Sequence, residues 1–289
     1  MTPRKSPLIE LIIEITRLHR PIGIWLLMLP CWYGLAYVSP AFPNPWYLML
    51  FALGATVMRG AGCIYNDIVD RDLDKKVERT KNRPLARGDL TVPQAIIFII
   101  ILAMIGAAVL YQFPPKAILM GVSSLLFVLA YPWMKRITYW PQIFLGITFN
   151  WGIWVAWGTK EADFNSGILF LFLGSILWTL GYDTIYAHQD REDDLLVGIK
   201  SSAIKFGEKT KSALAIIYTA VVIFWGLAGF LTNLGKWFYA GLLAIAVHFT
   251  WQTLTLDIQN NENCAKRFVS NTYIGLILLI GIVLGKILN

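Results

Sequence analysis

Apolar runs of about 20 residues recur along the 289-residue chain, and each is long enough to cross a bilayer core of roughly 30 Å as a helix. The runs are continuously apolar and do not alternate with polar residues, which favours helices over a membrane barrel. The predicted spans are residues 22–40, 46–64, 93–112, 116–134, 140–158, 166–186, 212–232, 236–255 and 269–288. We therefore predict an all-α, polytopic bundle of about nine transmembrane helices, with residues 1–289 forming one membrane-embedded domain.

The N-terminal segment differs from a cleavable signal peptide. Residues 1–21 carry Glu10 and Glu14 inside an apolar stretch, and no small-residue cleavage site follows them. Leu8, Leu11 and Ile15 repeat at helical spacing. This pattern predicts an amphipathic helix that lies on the membrane surface.

Basic residues are distributed unevenly between the two sides of the predicted bundle. Of the 25 lysines and arginines, 20 fall in the N-terminal segment and the even-numbered loops. The excess places that side in the cytoplasm, and nine spans then place the C-terminus in the periplasm. The net charge of +7 is thus a topology signal, and we expect a lipid bilayer and no nucleic acid as partner. No Arg- and Ser-rich leader is visible, which favours a bacterial inner membrane.

Ten of the 18 acidic residues lie in two short windows, at the cytoplasmic ends of the second and sixth spans. In the first window, residues spaced by four share one helix face, with one further aspartate on its flank. In the second, three aspartates lie close to one face, with Tyr186 between them. These residues are Asn66, Asp67, Asp70 and Asp74 in the first acid stripe and Asp183, Asp190 and Asp194 in the second.

The two acid stripes predict a magnesium site. Two carboxylates about 6 Å apart repel each other by roughly 2.8 kcal/mol at an effective dielectric constant of ~20, so a cation is expected between them. Oxygen ligands without His or Cys favour Mg²⁺ over zinc, and Mg²⁺ usually completes its shell with water and substrate phosphate. The stripes therefore resemble a clamp for a diphosphate. We expect Asn66, Asp67, Asp70 and Asp74 to provide metal ligands on one side and Asp190 and Asp194 on the other.

Basic residues near the stripes are candidates for binding the diphosphate and stabilising it as it departs. Arg59 differs from the others because it lies within an apolar span, where an unpaired charge is costly and a carboxylate or a substrate anion is the expected partner. The remaining candidates are Arg71, Lys81, Arg83, Lys135 and Arg136.

Four stretches carry a resemblance to a known family. They are RLHRPIG (17–23), MRGAGCIYNDIVDRDLDKKVERTKNRPLARG (58–88), YPWMKRITYWPQIFLG (131–146) and YDTIYAHQDREDDLLVGIKS (182–201). The acid stripes are similar to the NDxxDxxxD and DxxxD motifs of the UbiA-type membrane polyprenyltransferases. The last two stretches resemble the branch of that family that acts on 4-hydroxybenzoate in ubiquinone synthesis.

The resemblance implies a central cavity, catalysis on the cytoplasmic side, Mg²⁺ as cofactor, and polyprenyl diphosphate and 4-hydroxybenzoate as substrates. The prenyl group would be transferred to the ring carbon ortho to the phenol hydroxyl. Together with the residue pattern, it implies that Asp183 holds or deprotonates the phenol and that Arg17 or Arg59 binds the carboxylate. The rings of Tyr131, Tyr139 and Tyr186 would shield the carbocation.

Two alternatives remain open on the sequence. The acid stripes alone do not distinguish 4-hydroxybenzoate from other prenyl acceptors, namely dihydroxynaphthoate, homogentisate or haem. An ion-coupled transporter would also carry intramembrane acids, but its coupling sites are expected at the bilayer midplane, often on broken helices.

Overall fold

The computed structural model describes residues 8–160 and 164–288, and this part of the chain contains helices and no β-strand. The helices are α1 (Leu8–Thr16), α2 (Ile22–Val38), α3 (Pro45–Asp74), α4 (Pro84–Arg87), α5 (Val92–Leu110), α6 (Pro115–Ile137), α7 (Pro141–Asn150), α8 (Gly152–Trp157), α9 (Ser166–Ala187), α10 (Arg191–Val197), α11 (Ser202–Phe206), α12 (Thr210–Leu231), α13 (Lys236–Leu254), α14 (Asn261–Val269) and α15 (Asn271–Ile287).

The length and apolar composition of several helices confirm the prediction of a multi-pass membrane protein. Within the described residues, six helical segments are long and apolar enough to cross a bilayer. They are Pro45–Asp74, Val92–Leu110, Pro115–Ile137, Ser166–Val197, Ser202–Leu231 and Asn261–Ile287. Helix α2 is apolar but has only 17 residues, and the predicted span 140–158 is divided between α7 and α8. The figure of nine crossings therefore stays a prediction.

A buried polar network accompanies the division between α7 and α8. The Asn150 amide donates to the Gly146 carbonyl at 2.8 Å and to Thr179 Oγ1 at 2.9 Å, and it accepts from the Tyr33 hydroxyl at 3.1 Å. Gly152 then packs so closely on α2 that a Cβ there would lie 2.2 Å from Cys31 Sγ. The break thus ties α7 and α8 to both α2 and α9.

The largest buried cluster lies between α2, α9, α12, α13 and α15. Trp178 and Trp225 are fully buried in it, with their ring centroids 5.8 Å apart in an edge-to-face arrangement. The Trp178 indole donates to Asn271 Oδ1 at 2.9 Å, so its polar atom is also satisfied. This packing fixes α9, the helix that leads into the second acid stripe.

The N-terminal helix α1 packs on α3 through Leu11 and Ile15, while Leu8 and Ile9 are exposed. Residues 1–7 of the predicted amphipathic segment lie outside the described residues. After α1, Arg17 takes a left-handed backbone conformation, with φ of 57°. This turn directs the Arg17 side chain toward the end of α3. The position of α1 on a membrane surface stays a prediction.

The two acid stripes differ in secondary structure. Helix α3 continues for 30 residues, and Asn66, Asp70 and Asp74 form one row on it, as predicted. The second stripe is not one α-helix, because α9 ends at Ala187 and a 3₁₀ turn, His188–Asp190, precedes α10. The prediction of a single shared face for Asp183, Asp190 and Asp194 is corrected accordingly.

Candidate active site

A cavity of about 1330 Å³ lies among the helices, and its two ends differ in polarity. Charged side chains line the end where α3 and α9 terminate, including residues from both acid stripes. Leu50, Phe51, Gly106, Leu110, Leu125 and Val155 line the other half. Phe113 closes this half, with its ring 4.9 Å from Phe51 and 5.2 Å from Tyr47 between centroids. The cavity therefore suits a molecule with one charged and one hydrocarbon end.

Two arginines neutralise the cavity-facing side of the first acid stripe. The Arg83 guanidinium donates through Nη1 to Asp67 Oδ1 at 3.1 Å and to Asp74 Oδ2 at 2.7 Å. Arg17 forms a second ion pair with Asp67. Burial acts to lower the pKa of Arg17, but the Asp67 carboxylate and other nearby groups together raise it above its ordinary value. Arg17 thus stays charged and committed to Asp67.

Asp70 is fully buried beside the cavity and is not part of its wall. Asn66 donates to Asp70 Oδ2 at 3.0 Å, and Lys135 Nζ lies 2.5 Å from the same oxygen. Arg136 reaches Asp70 Oδ1 at 3.5 Å and donates to the Val69 carbonyl at 2.7 Å. Asp70 therefore joins the end of α3 to the end of α6 and holds Lys135 at the cavity wall.

Arg79 connects the segment after α3 to the second acid stripe. Its Nε donates to Asp190 Oδ1 at 2.5 Å, and Nη2 makes a second bond to the same carboxylate. Nη1 donates to the Tyr186 hydroxyl at 2.9 Å. Burial acts to lower the pKa of Arg79, but Tyr186 and Asp190 raise it on balance, so the guanidinium stays charged. The two stripes therefore meet at one end of the cavity.

Sequence reasoning did not select Arg79 as a site residue. It lies among seven basic residues between positions 71 and 87, which the distribution of charge between loops already explains. Its neighbour Glu78 makes a second link to the α10 region, where the Glu78 backbone N–H donates to Asp193 Oδ2 at 3.2 Å. Only the fold shows which of these basic residues crosses to the second stripe.

Asp183 and Asp194 line the cavity, and unlike Asp67, Asp74 and Asp190 they form no ion pair with a described residue. In the described part of the chain, neither carboxylate has a basic nitrogen within 4.0 Å. Asp183 lies within electrostatic reach of Arg59 and Arg79, and Asp194 within reach of Lys135. Both carboxylates are therefore available to a ligand in the cavity.

Arg59, in the middle of α3, lies on the cavity wall, and its predicted role in binding stays a prediction. Its Nη1 donates to Cys63 Sγ at 2.7 Å, and its guanidinium lies 5.7 Å from the centroid of the Phe149 ring. No carboxylate among residues 8–160 and 164–288 forms an ion pair with it. Arg17 is already paired, so Arg59 is the better placed of the two predicted carboxylate-binding arginines.

Three of the predicted substrate-binding residues do not reach the cavity. Arg71 follows Asp70 on α3 and is rotated by about 100° from it, so it faces outward and pairs with Asp72 at 3.5 Å. Lys81 pairs with Glu78 at 2.6 Å near the surface. Tyr139 is exposed, and its ring faces Lys200 and Lys205 at 5.7 and 5.6 Å.

The other two predicted tyrosines, Tyr131 and Tyr186, do line the cavity, as do Arg83 and Lys135. Arg136 is not part of the cavity wall, because its guanidinium turns toward Asp70 and lies 4.9 Å from the centroid of the Trp133 ring. Its predicted contact with the substrate is thus replaced by a contact with the first acid stripe.

The donor groups of the cavity fit Mg²⁺, since carboxylate and amide oxygens are the ligands that this ion prefers. Among the residues that the structure describes, no three acidic, histidine or cysteine side chains are grouped closely enough to hold an ion alone. Mg²⁺ does not require such a cage, because it normally takes one or two carboxylates together with water and substrate phosphate. Asp67, Asp74, Asp190 and Asp194 all line the cavity.

Comparison with known proteins agrees with this arrangement. Residues 27–278 match the UbiA prenyltransferase family. The chain belongs to this family. It is 45% identical over 276 residues to the mitochondrial 4-hydroxybenzoate polyprenyltransferase of Arabidopsis thaliana, a match that covers 94% of this chain and 68% of that protein. Family membership favours an enzyme over the transporter alternative.

Solved structures of the UbiA family share the fold. The apo structure of a UbiA homolog from Aeropyrum pernix K1 has a TM-score of 0.75 at 24% identity and covers 90% of this chain and 97% of its own. A UbiA homolog from Archaeoglobus fulgidus, bound to GPP and Mg²⁺, has a TM-score of 0.67 at 16% identity and covers 94% and 99%. At these identities the likeness shows the fold alone.

Proposed function

We propose that this protein transfers a polyprenyl group from a polyprenyl diphosphate to 4-hydroxybenzoate and releases diphosphate. The new bond forms at the ring carbon ortho to the phenol hydroxyl. The observation that carries the proposal is one cavity with two acid stripes and their basic partners at one end and a hydrocarbon lining at the other. The similarity to 4-hydroxybenzoate polyprenyltransferases supports the choice of acceptor.

The charged end of the cavity binds the diphosphate. Asn66, Asp67 and Asp74 on one side and Asp190 and Asp194 on the other line the cavity and would hold Mg²⁺, which would supply Lewis-acid withdrawal of charge from the leaving group. Asp70, also predicted as a metal ligand, lies behind the cavity wall and instead holds Lys135 in place. Arg79, Arg83 and Lys135 bind diphosphate oxygens by exchanging their carboxylate partners for the ligand. These cations then stabilise the negative charge that develops on the leaving oxygen.

The apolar half of the cavity holds the isoprenoid chain. Burial of the chain is favourable by about 25 cal/mol for each Å² of apolar surface removed from water. This binding places the first prenyl carbon at the boundary between the two halves, near Tyr131 and Tyr186. The ring of Tyr131 stabilises positive charge on the prenyl group, whereas the ring of Tyr186 already faces the Arg79 guanidinium, 5.2 Å from its centroid.

The acceptor binds between Arg59 and Asp183. Arg59 pairs with the carboxylate of 4-hydroxybenzoate, and Asp183 accepts a hydrogen bond from the phenol hydroxyl or takes its proton. The carbon–oxygen bond of the donor breaks and its electron pair leaves with the diphosphate. The ring carbon supplies the electron pair of the new carbon–carbon bond, and the ring proton then leaves to a base, which restores aromaticity.

The protein is proposed to reside in a bacterial inner membrane, with its N-terminus in the cytoplasm and its C-terminus in the periplasm. The distribution of lysine and arginine between loops supports this orientation. The similar protein of Arabidopsis thaliana is mitochondrial, so the location of this chain is tested separately from its activity.

The test is incubation of membranes containing the protein with radiolabelled 4-hydroxybenzoate, a polyprenyl diphosphate and Mg²⁺. We expect a lipid-soluble labelled product that EDTA abolishes and added Mg²⁺ restores. Membranes without the protein are the control. Parallel reactions with dihydroxynaphthoate and homogentisate test the alternative acceptors, and faster prenylation of either one would contradict the proposed acceptor.

A further inference from the structure

We propose that Gly23 is a positioning residue that fixes Arg59 for binding the acceptor carboxylate. The inference rests on the proposed function, because it assigns Arg59 to 4-hydroxybenzoate. Gly23 lies in the first turn of α2 and is buried against α3. It does not touch the acceptor in this scheme and acts through the arginine alone.

The contact between Gly23 and Arg59 leaves no space for a side chain. A Cβ on Gly23 would lie 2.4 Å from Arg59 Nε, 2.8 Å from Nη2 and 3.0 Å from Cζ. Contacts below 3.0 Å do not occur between such atoms, so the guanidinium occupies the space in which a side chain at position 23 would lie. Gly23 itself lies in a helix, and its φ is not among the positive values in the chain. Space, and not backbone conformation, is therefore what glycine supplies here.

Two further contacts hold the same guanidinium. Cys63, one turn further along α3, accepts a hydrogen bond from Nη1 at 2.7 Å, and the Phe149 ring of α7 lies 5.7 Å from Cζ. Gly23, Cys63 and Phe149 thus confine Arg59 from three helices. Gly23, Arg59 and Phe149 line the cavity together with Asp183.

A confined guanidinium matters because it binds a carboxylate through two parallel hydrogen bonds whose geometry is fixed. A displacement of about 1 Å breaks one or both of these bonds. The acceptor carboxylate would then be held less well, whereas the diphosphate donor, bound by Arg79, Arg83 and Lys135, would not be affected.

The variant Gly23→Ala tests this role without removing Arg59. The atoms that the new methyl group meets are the end of a flexible side chain, so the arginine moves and the helices stay in place. Gly226→Ala is the matched control. It is also a helix glycine, but its Cβ would make an ordinary contact of 3.5 Å with Leu242, and it does not line the cavity.

The experiment measures kinetics for Gly23→Ala, Arg59→Ala, the double variant and Gly226→Ala in detergent-solubilised enzyme. The acceptors are 4-hydroxybenzoate and its neutral analogue 4-hydroxybenzamide. We expect Gly23→Ala to raise the KM for 4-hydroxybenzoate about tenfold or more and to leave the KM for the donor unchanged. The KM for the amide should change less than twofold, and Gly23→Ala should have no further effect in the Arg59→Ala background.

Two kinds of failure are distinguishable. If the unmodified enzyme makes no prenylated product, the proposed function is refuted and the role of Gly23 with it. If the unmodified enzyme is active, the role of Gly23 is refuted by any of three results. The first is an unchanged KM for 4-hydroxybenzoate, and the second is an equal rise in the KM for 4-hydroxybenzamide. The third is a double variant in which the KM changes of Gly23→Ala and Arg59→Ala add independently.

Discussion

Asp70 and Asp72 lie two residues apart on α3 but in opposite environments. Asp70 is fully buried and bonded to Lys135 and Asn66, whereas the Asp72 side chain is 76% exposed and pairs with Lys75 at the surface. The side chain of residue 72 is rotated by about 200° from that of residue 70 around the helix. The same residue type therefore serves the site in one position and a solvated surface in the other.

The pair provides a matched test of the first acid stripe. Asp70→Asn removes the charge but keeps the shape, so Lys135 loses the counter-ion that holds it at the cavity wall. We expect the rate of prenyl transfer to fall about 100-fold. Asp72→Asn should stay within about twofold of the unmodified enzyme, because an exposed ion pair contributes little. The assay is the labelled-product reaction, and equal activity of the two variants would contradict the assignment.

Helical spacing was enough to predict where most of the site residues lie, but not which side chains pair with one another. Spacing by four placed Asn66, Asp70 and Asp74 in one row. The sequence offered no way to see that Asp70 would be covered by Lys135, since residues 65 positions apart were brought together by packing. Arg71 points away from the cavity for a simpler reason, because it is the next residue on α3 after the inward-facing Asp70.

At the scale of helices, apolarity marks where spans begin better than where they end. The predicted second span stops at residue 64, where the apolar run ends, yet α3 continues to Asp74. The helix continues because Arg17, Arg83 and Lys135 satisfy its buried carboxylates. A hydropathy scale includes the free-energy cost of burying an aspartate but not the basic partner that offsets this cost, so it ends the span too early.

The division of the predicted fifth span has a similar origin. Residues 140–158 read as one apolar run, but the helix is interrupted between Asn150 and Gly152. The partners of Asn150 come from α2 and α9, which are distant in sequence. Local composition therefore could not predict the break, whereas it did predict that both halves are helical.

The hydrocarbon half of the cavity makes a prediction about α3. Gly54 lines it, and among the described residues the one atom within 4 Å of a Cβ placed there is Val109 Cγ1, at 3.6 Å. Gly54→Leu should therefore extend into the space for the isoprenoid chain. We expect activity with a long polyprenyl diphosphate to fall about tenfold relative to activity with geranyl diphosphate. The short donor is the internal control, and equal losses with both donors would place the chain elsewhere.

At the scale of the whole molecule, the charged loops predict the orientation of the bundle. Nine crossings require the two termini to lie on opposite sides of the membrane. We expect a C-terminal alkaline phosphatase fusion to be active and a C-terminal green fluorescent protein fusion to be dark, with the same pair of reporters after residue 138 giving the reverse pattern. A fluorescent C-terminal fusion would mean an even number of crossings.

The ion pairs at the charged end have a consequence for turnover. Among the described residues, eight basic and six acidic side chains line the cavity, and several are already paired with one another. In the proposed reaction, the donor therefore replaces one set of ion pairs by another, because the site itself carries little unbalanced charge. When diphosphate departs, Arg79 and Arg83 return to their own aspartates, so product release leaves no buried charge stranded and the enzyme is ready for its next donor.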